Sequence, residues 1–179
     1  MVFNKTKIEG LYVIEQELKI DERGYFARTF CKDEILKATG LDFGVKQANQ
    51  SLTQKKGMIR GMHFQKNPKA EDKIVQCLRG AIYDVAVDLR EESLTYGQWV
   101  AEEITEENKK MFLIPKGFAH GFQTLADNCE VQYLMSEFYS PECASGVRWD
   151  DPDLDIKWPM KNPELSEKDK NWPLINPKI

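Results

Sequence analysis

Apolar and polar residues alternate with a period of two in short runs, broken by turn residues at intervals of roughly 8 to 12. This is the pattern of a β-sandwich or barrel rather than of alternating βα units. The clearest run, Lys73 to Arg90, turns at Arg79-Gly80. It then sets Tyr83, Val85, Val87 and Leu89 on one face and Ile82, Asp84, Ala86 and Asp88 on the other. Acids fall on one side only, so that side is expected to be the wetter or the functional one. Further strands are expected over 11–19, 45–52, 58–65, 98–104, 110–115, 120–126 and 130–137. Helix is a minor element: residues 33–39, with an acidic start and Gly40 as a stop, predict one short helix. Beyond about residue 150, Pro152, Pro159, Pro163, Pro173 and Pro177 stand among charged residues. They predict a tail, about 152–179, that wraps the domain as loops and short helical turns.

Composition narrows the class. The chain has 179 residues, 41% hydrophobic and 11% aromatic, enough for one core of ordinary size, so a single domain over 1–179 is expected. No apolar run approaches the roughly 18 to 20 residues that span a bilayer, and the start, MVFNKTK, lacks the apolar segment of a secretion signal. A soluble, cytoplasmic protein without a membrane partner is the expectation. Cys31, Cys77, Cys129 and Cys143 are scattered and read as free thiols. A net charge of -4 without long basic runs argues against a nucleic-acid partner and leaves room only for a local anion site.

Three segments carry more polar chemistry than a core requires. In Gln47-Ala48-Asn49-Gln50-Ser51, alternation sends Gln47, Asn49 and Ser51 to one face, either an exposed strand face or the wall of a polar pocket. In Arg60-Gly61-Met62-His63-Phe64-Gln65, an arginine suited to phosphate accompanies a histidine suited to proton transfer. A flat strand would send the two to opposite faces. Either Gly61 marks a bulge that re-aims one of them, or one points to a subunit interface. The third segment, Ile114-Pro115-Lys116-Gly117-Phe118-Ala119-His120-Gly121-Phe122, gives His120 room between small residues. One histidine on each of two distant strands, with no His-x-His, falls short of the three protein ligands of a usual catalytic metal site.

These motifs, with DERGYF (21–26), DVAVDLR (84–90), FYSPE (138–142), WDDP (149–152) and LSEKD (165–169), resemble in order and spacing the dTDP-4-dehydrorhamnose 3,5-epimerases over roughly residues 8 to 175. The resemblance implies an all-β, cupin-type jelly roll with a few short helices. It also implies a homodimer that exchanges strands, a nucleotide-diphosphate 4-keto-6-deoxy sugar as substrate, and neither cofactor nor metal. It gives His63 the role of base, paired with Asp169, and Lys73 and His120 places near the enolate oxygen. Tyr133 becomes the acid on the opposite face; by alternation alone it reads as a core aromatic beside Val131 and Met135. Arg23 and Arg60 match diphosphate-holding residues, Gln47 and Asn49 match ligand contacts, and Phe26 is placed to stack on the base across the dimer interface. Two positions depart from the family pattern, Arg28 and Ala144, where glutamates are usual, and both touch ligand contacts. A single-carbon epimerase, a metal-dependent cupin and a non-catalytic sugar-nucleotide binder are the rival readings.

Overall fold

The computed structural model describes residues 1–175. Two antiparallel sheets carry it. The six-stranded sheet runs β1 (Val2–Lys5), β2 (Tyr12–Glu15), β10 (Lys110–Ile114), β7 (Lys73–Arg79), β12 (Cys129–Met135) and β5 (Gln47–Thr53). The five-stranded sheet runs β13 (Ala144–Gly146), β6 (Ile59–Gln65), β11 (Phe118–Thr124), β8 (Ala81–Asp88) and β9 (Trp99–Thr105). A separate hairpin pairs β3 (Lys19–Asp21) with β4 (Gly24–Phe26), and the two helices are α1 (Lys32–Thr39) and α2 (Glu167–Lys170). Between β5 and β12 the chain passes back and forth, leaving β5, β7, β10 and β12 in one sheet and β6, β8, β9 and β11 in the other. This is the jelly-roll wrapping that the resemblance implies.

Apolar side chains from both sheets meet in the middle. Val13, Val75, Phe112 and Val131 from the six-stranded sheet pack with Ile82, Ala86, Ile104, Phe118 and Phe122 from the other. Burying each such side chain contributes about 1.5–3 kcal/mol, so the registers that face them inward are strongly favoured. Both outer faces are covered as well. The tail lays Leu154, Ile156, Trp158 and Ile175 against Val85, Val87 and Trp99, while Ile35 of α1 and Phe43 pack on Ile14, Ile74 and Met111.

This double covering rules out one of the two expectations for β8. The acid-bearing side of β8 is not wet: Ile82, Asp84, Ala86 and Asp88 are all fully buried. Burial works against a charge on Asp88, but hydrogen bonds from Arg90, Ser93 and Thr95 more than offset it and hold its carboxyl at about 2. The turn at Gly80 is a corner between sheets rather than a hairpin, since β7 and β8 pair with other strands. Gly80 has φ +80, and a Cβ there would lie 2.8 Å from the Cys129 sulfur, so both conformation and space require glycine.

The strand expected over 11–19 is confined to β2, with β3 starting a new hairpin at its far end. The short strands β1 and β13 and the hairpin strand β4 lie where no strand was expected. Helix α1 ends as expected, with the Gly40 N–H donating to the Leu36 carbonyl at 2.9 Å. The tail is anchored by polar contacts. Asp151 accepts from the N–H groups of Asp153, Leu154 and Ile175, and the Gln123 amide exchanges two hydrogen bonds with the backbone of Met160. Pro177 lies outside the described residues. Among those described, no helix is long and apolar enough to cross a membrane.

Candidate active site

The sheets enclose a cavity of about 650 Å³. Asn49, Ser51, Lys73 and Tyr133 line it from the six-stranded sheet, and Arg60, His63 and His120 from the five-stranded one. Helix α2 and the turn after it add Lys168, Asp169 and Trp172.

A bulge resolves the geometry of the RGMHFQ segment. His63 pairs with His120 and Arg60 with Phe122, so three steps along β6 match two along β11. Gly61 makes this possible: its φ is +143, and a Cβ would stand 2.5 Å from the Gly121 Cα. With the extra residue absorbed there, Arg60 and His63 both reach the cavity, and His63 comes to lie opposite His120. Arg60 is held by its own bonds, Nε donating to Thr53 Oγ1 at 2.8 Å and Nη2 to the Leu52 carbonyl at 3.0 Å.

The half-exposed His63 places Nε2 2.5 Å from Asp169 Oδ1. Asp169 sits in α2, whose first turn is capped by the Ser166 hydroxyl accepting from the Asp169 N–H. Its carboxyl also accepts from the Gly61 N–H and the Trp172 indole. Burial pushes Asp169 up, but His63 and these donors outweigh it and leave the carboxyl below its usual range. The carboxylate is therefore ionised near neutrality. The imidazole donates from Nε2 and keeps the Nδ1 lone pair free to accept a proton.

The second histidine lives differently. His120 Nε2 lies 2.6 Å from Asp84 Oδ1, and both side chains are buried. Burial is the largest influence on Asp84 and pushes its carboxyl up, against the opposing pull of His120 and Lys73. Lys73, the first residue of β7, is also buried, and its ammonium forms an ion pair with Glu71 Oε1 at 3.1 Å.

Tyr133 projects from β12 with its hydroxyl 3.1 Å from Ser51 Oγ and its ring edge-on to His120, centroids 6.3 Å apart. Its ring packs against the core, as the core-aromatic reading expects, while its side chain also lines the cavity. Burial pushes its phenol up to about 12, which keeps it a proton donor at neutral pH. His63 and Tyr133 thus stand on opposing sheets across one cavity. A group that takes a proton on one face of a ring and another that gives one on the other face can invert a carbon between them.

Gln47 and Asn49 line the cavity and are linked, the Gln47 amide donating to Asn49 Oδ1 at 3.1 Å. Arg23 and Phe26 are not brought to the cavity. They sit on the β3–β4 hairpin, Arg23 paired with Asp21 and Phe26 68% exposed, for a local reason: the hairpin joins neither main sheet. Arg28 pairs with Glu34 away from the cavity, and Ala144 lines it. Sequence reading missed Glu71, Asp84 as the partner of His120, Lys168 and Trp172. Only Asp84 carried a signal, as one of two acids, with Asp88, on the side of β8 that also bears Ile82 and Ala86. Among the described residues, no three of His, Cys, Asp and Glu converge so as to hold a metal ion.

This geometry has counterparts of known name. The family model of dTDP-4-dehydrorhamnose 3,5-epimerase matches residues 5–177. An enzyme of that name from Methanothermobacter thermautotrophicus is 47% identical over 173 residues, covering 95% of this chain and 92% of its own. The crystal structure of another, from Bacillus anthracis with TDP and PPi bound, is 42% identical with a TM-score of 0.93, covering 97% of this chain and 99% of its own. A dTDP-4-dehydrorhamnose 3-epimerase from Streptomyces niveus is 37% identical, over 92% of this chain and 79% of its own. Matched nearly end to end in sequence and in backbone, the chain belongs to the dTDP-4-dehydrorhamnose 3,5-epimerase family.

Proposed function

We propose that this chain inverts C3 and C5 of dTDP-4-dehydro-6-deoxy-D-glucose, giving dTDP-4-dehydro-L-rhamnose, by proton transfer alone. One observation carries the reading: a carboxylate-held imidazole and a protonated phenol face each other across one cavity. Hydrogens at C3 and C5 are acidic because the electron pair left behind delocalises onto the C4 ketone oxygen. His63 Nδ1 takes the proton, Lys73 and His120 stabilise the enolate oxygen, and Tyr133 returns a proton from the opposite face. Asp169 holds the imidazole in the tautomer that leaves Nδ1 free. The carbon loses one proton and gains another, so atoms balance with no change in oxidation state and no cofactor. Stabilising charge that develops only in the enolate contributes several kcal/mol in a dry site, and the proton transfers contribute about 10²–10⁴-fold in rate.

Arg60, Gln47 and Asn49 hold the nucleotide diphosphate and sugar in this reading. Arg23 and Phe26 reach the site of a partner subunit. The exposed hairpin supports this: Ile20 is 77%, Phe26 68% and Tyr25 54% exposed, an apolar tip that a second copy would cover. The chain then acts as one domain over 1–179, in a homodimer, in the cytoplasm. The Streptomyces relative named a 3-epimerase favours one alternative, inversion at C3 alone. Incubation with the 4-keto substrate in deuterium oxide separates the readings. Exchange of both hydrogens supports double inversion, exchange at C3 alone selects the alternative, and exchange at neither overturns both. A metal-dependent cupin would lose activity to a chelator, whereas this scheme is indifferent to one.

A further inference from the structure

Glu71 lines the cavity beside Lys73, and the proton transfers above give it no task. Its side chain is 4% exposed. One carboxylate oxygen, Oε1, forms an ion pair with the Lys73 ammonium at 3.1 Å. The other, Oε2, is buried without a hydrogen-bond partner among the described residues. A buried carboxylate oxygen left unpaired costs free energy, and a ligand hydroxyl arriving in the cavity removes that cost. Asp84 Oδ2 is also unpaired, but burial favours the protonated form of that carboxyl, so its need is smaller.

The pair has a directional character. An ammonium can only donate and an ionised carboxylate can only accept. A sugar with a ketone at C4 and a hydroxyl at C3 presents the complement on neighbouring atoms: a ketone oxygen that can only accept, and a hydroxyl that can donate. On the other side of the ketone, C5 bears a methyl group and the ring oxygen, neither of which donates. Resting on the reading of the site as a 4-keto sugar epimerase, we infer that Glu71 accepts a hydrogen bond from the 3-hydroxyl while Lys73 donates to the ketone oxygen. The pair thereby selects 3-hydroxy-4-keto sugars over 3-deoxy ones and fixes which carbon lies next to Glu71. The hydroxyl stays on C3 when that carbon loses its proton, so the contact persists through the enolate.

The test compares deuterium entry at C5, which both substrates possess, for the 3-hydroxy-4-keto nucleotide sugar and its 3-deoxy analogue. Wild type is expected to prefer the 3-hydroxy substrate by about tenfold or more in kcat/KM, the range for a hydrogen bond to a charged group. In Glu71→Leu the preference should shrink to roughly twofold or less, and in the equal-sized Glu71→Gln, whose amide oxygen still accepts, to a value between. A purely structural counter-ion to Lys73 would slow both substrates alike and leave the ratio where it was. An unchanged ratio in the variants, or no preference in wild type, overturns the inference while leaving the epimerase reading intact. Absence of exchange at both C3 and C5 in wild type with the 3-hydroxy substrate overturns the epimerase reading itself. Should Glu71→Leu fail to fold, the wild-type preference and Glu71→Gln decide.

Discussion

Two histidine–carboxylate pairs stand opposite each other on adjoining strands, and they differ mainly in how much water they see. At His63–Asp169 the imidazole is 45% exposed, and three donors hold Asp169 below the usual carboxylate range. At His120–Asp84 the two side chains are 6% and 0% exposed, and burial pushes Asp84 up. Contact distances are nearly equal, 2.5 and 2.6 Å, so contact geometry does not separate their roles. Solvation does. The first pair keeps a stable anion behind an imidazole that can reach the cavity, which suits a base. At the second, burial favours the protonated carboxyl of Asp84, which suits an oriented donor beside Lys73.

The comparison breaks if the pairs can be exchanged in function. The largest effect is expected at His63→Ala, which should lower deuterium entry at both C3 and C5 by about 10³-fold or more, followed by NMR of the sugar protons. Asp169→Asn should reduce kcat by about 10²-fold, because an amide no longer holds the imidazole in one tautomer, whereas Asp84→Asn should cost about tenfold. Similar losses from the two asparagine variants in steady-state assays would erase the distinction.

The smallest effect, and the sharpest on sign, is on stability. Asp169 has a lowered pKa, so its contribution is full above the ordinary carboxylate range and disappears as pH falls through the lowered value. Asp84 has a raised pKa, so its contribution is full below that range and disappears as pH rises through the raised value. Melting temperatures should therefore show Asp169→Asn losing ground to wild type as pH rises up to the ordinary carboxylate range, and Asp84→Asn gaining it as pH rises above that range. Differences on the order of a few °C are expected.

The two-sheet β architecture was legible because its inner faces follow a period of two, and each of the expected strands except 11–19 marks a real one to within a few residues; the jelly-roll wrapping came from family resemblance. What escaped the sequence had physical causes. Period-two patterning shows that one side of β8 differs from the other, but not that the tail covers the outer face and drives Asp84 and Asp88 into the interior. The bulge at Gly61 was one of two open choices, and only the facing Gly121 decides it, a contact between residues 60 positions apart. The pairing of His63 with Asp169 came from family resemblance, since a bond across 106 residues leaves no local trace. Glu71 escaped notice because burial is a property of the assembled cavity.

The central claim is that protons leave and arrive on different faces, His63 on one sheet and Tyr133 on the other. Tyr133→Phe tests it most directly, with deuterium entry and change of configuration measured in the same reaction in deuterium oxide. With the phenol gone, His63 should still remove a proton and return a deuteron to the same face. The expected result is exchange that outruns inversion by about tenfold or more. Exchange and inversion that fall together, or inversion at the wild-type rate, would contradict it.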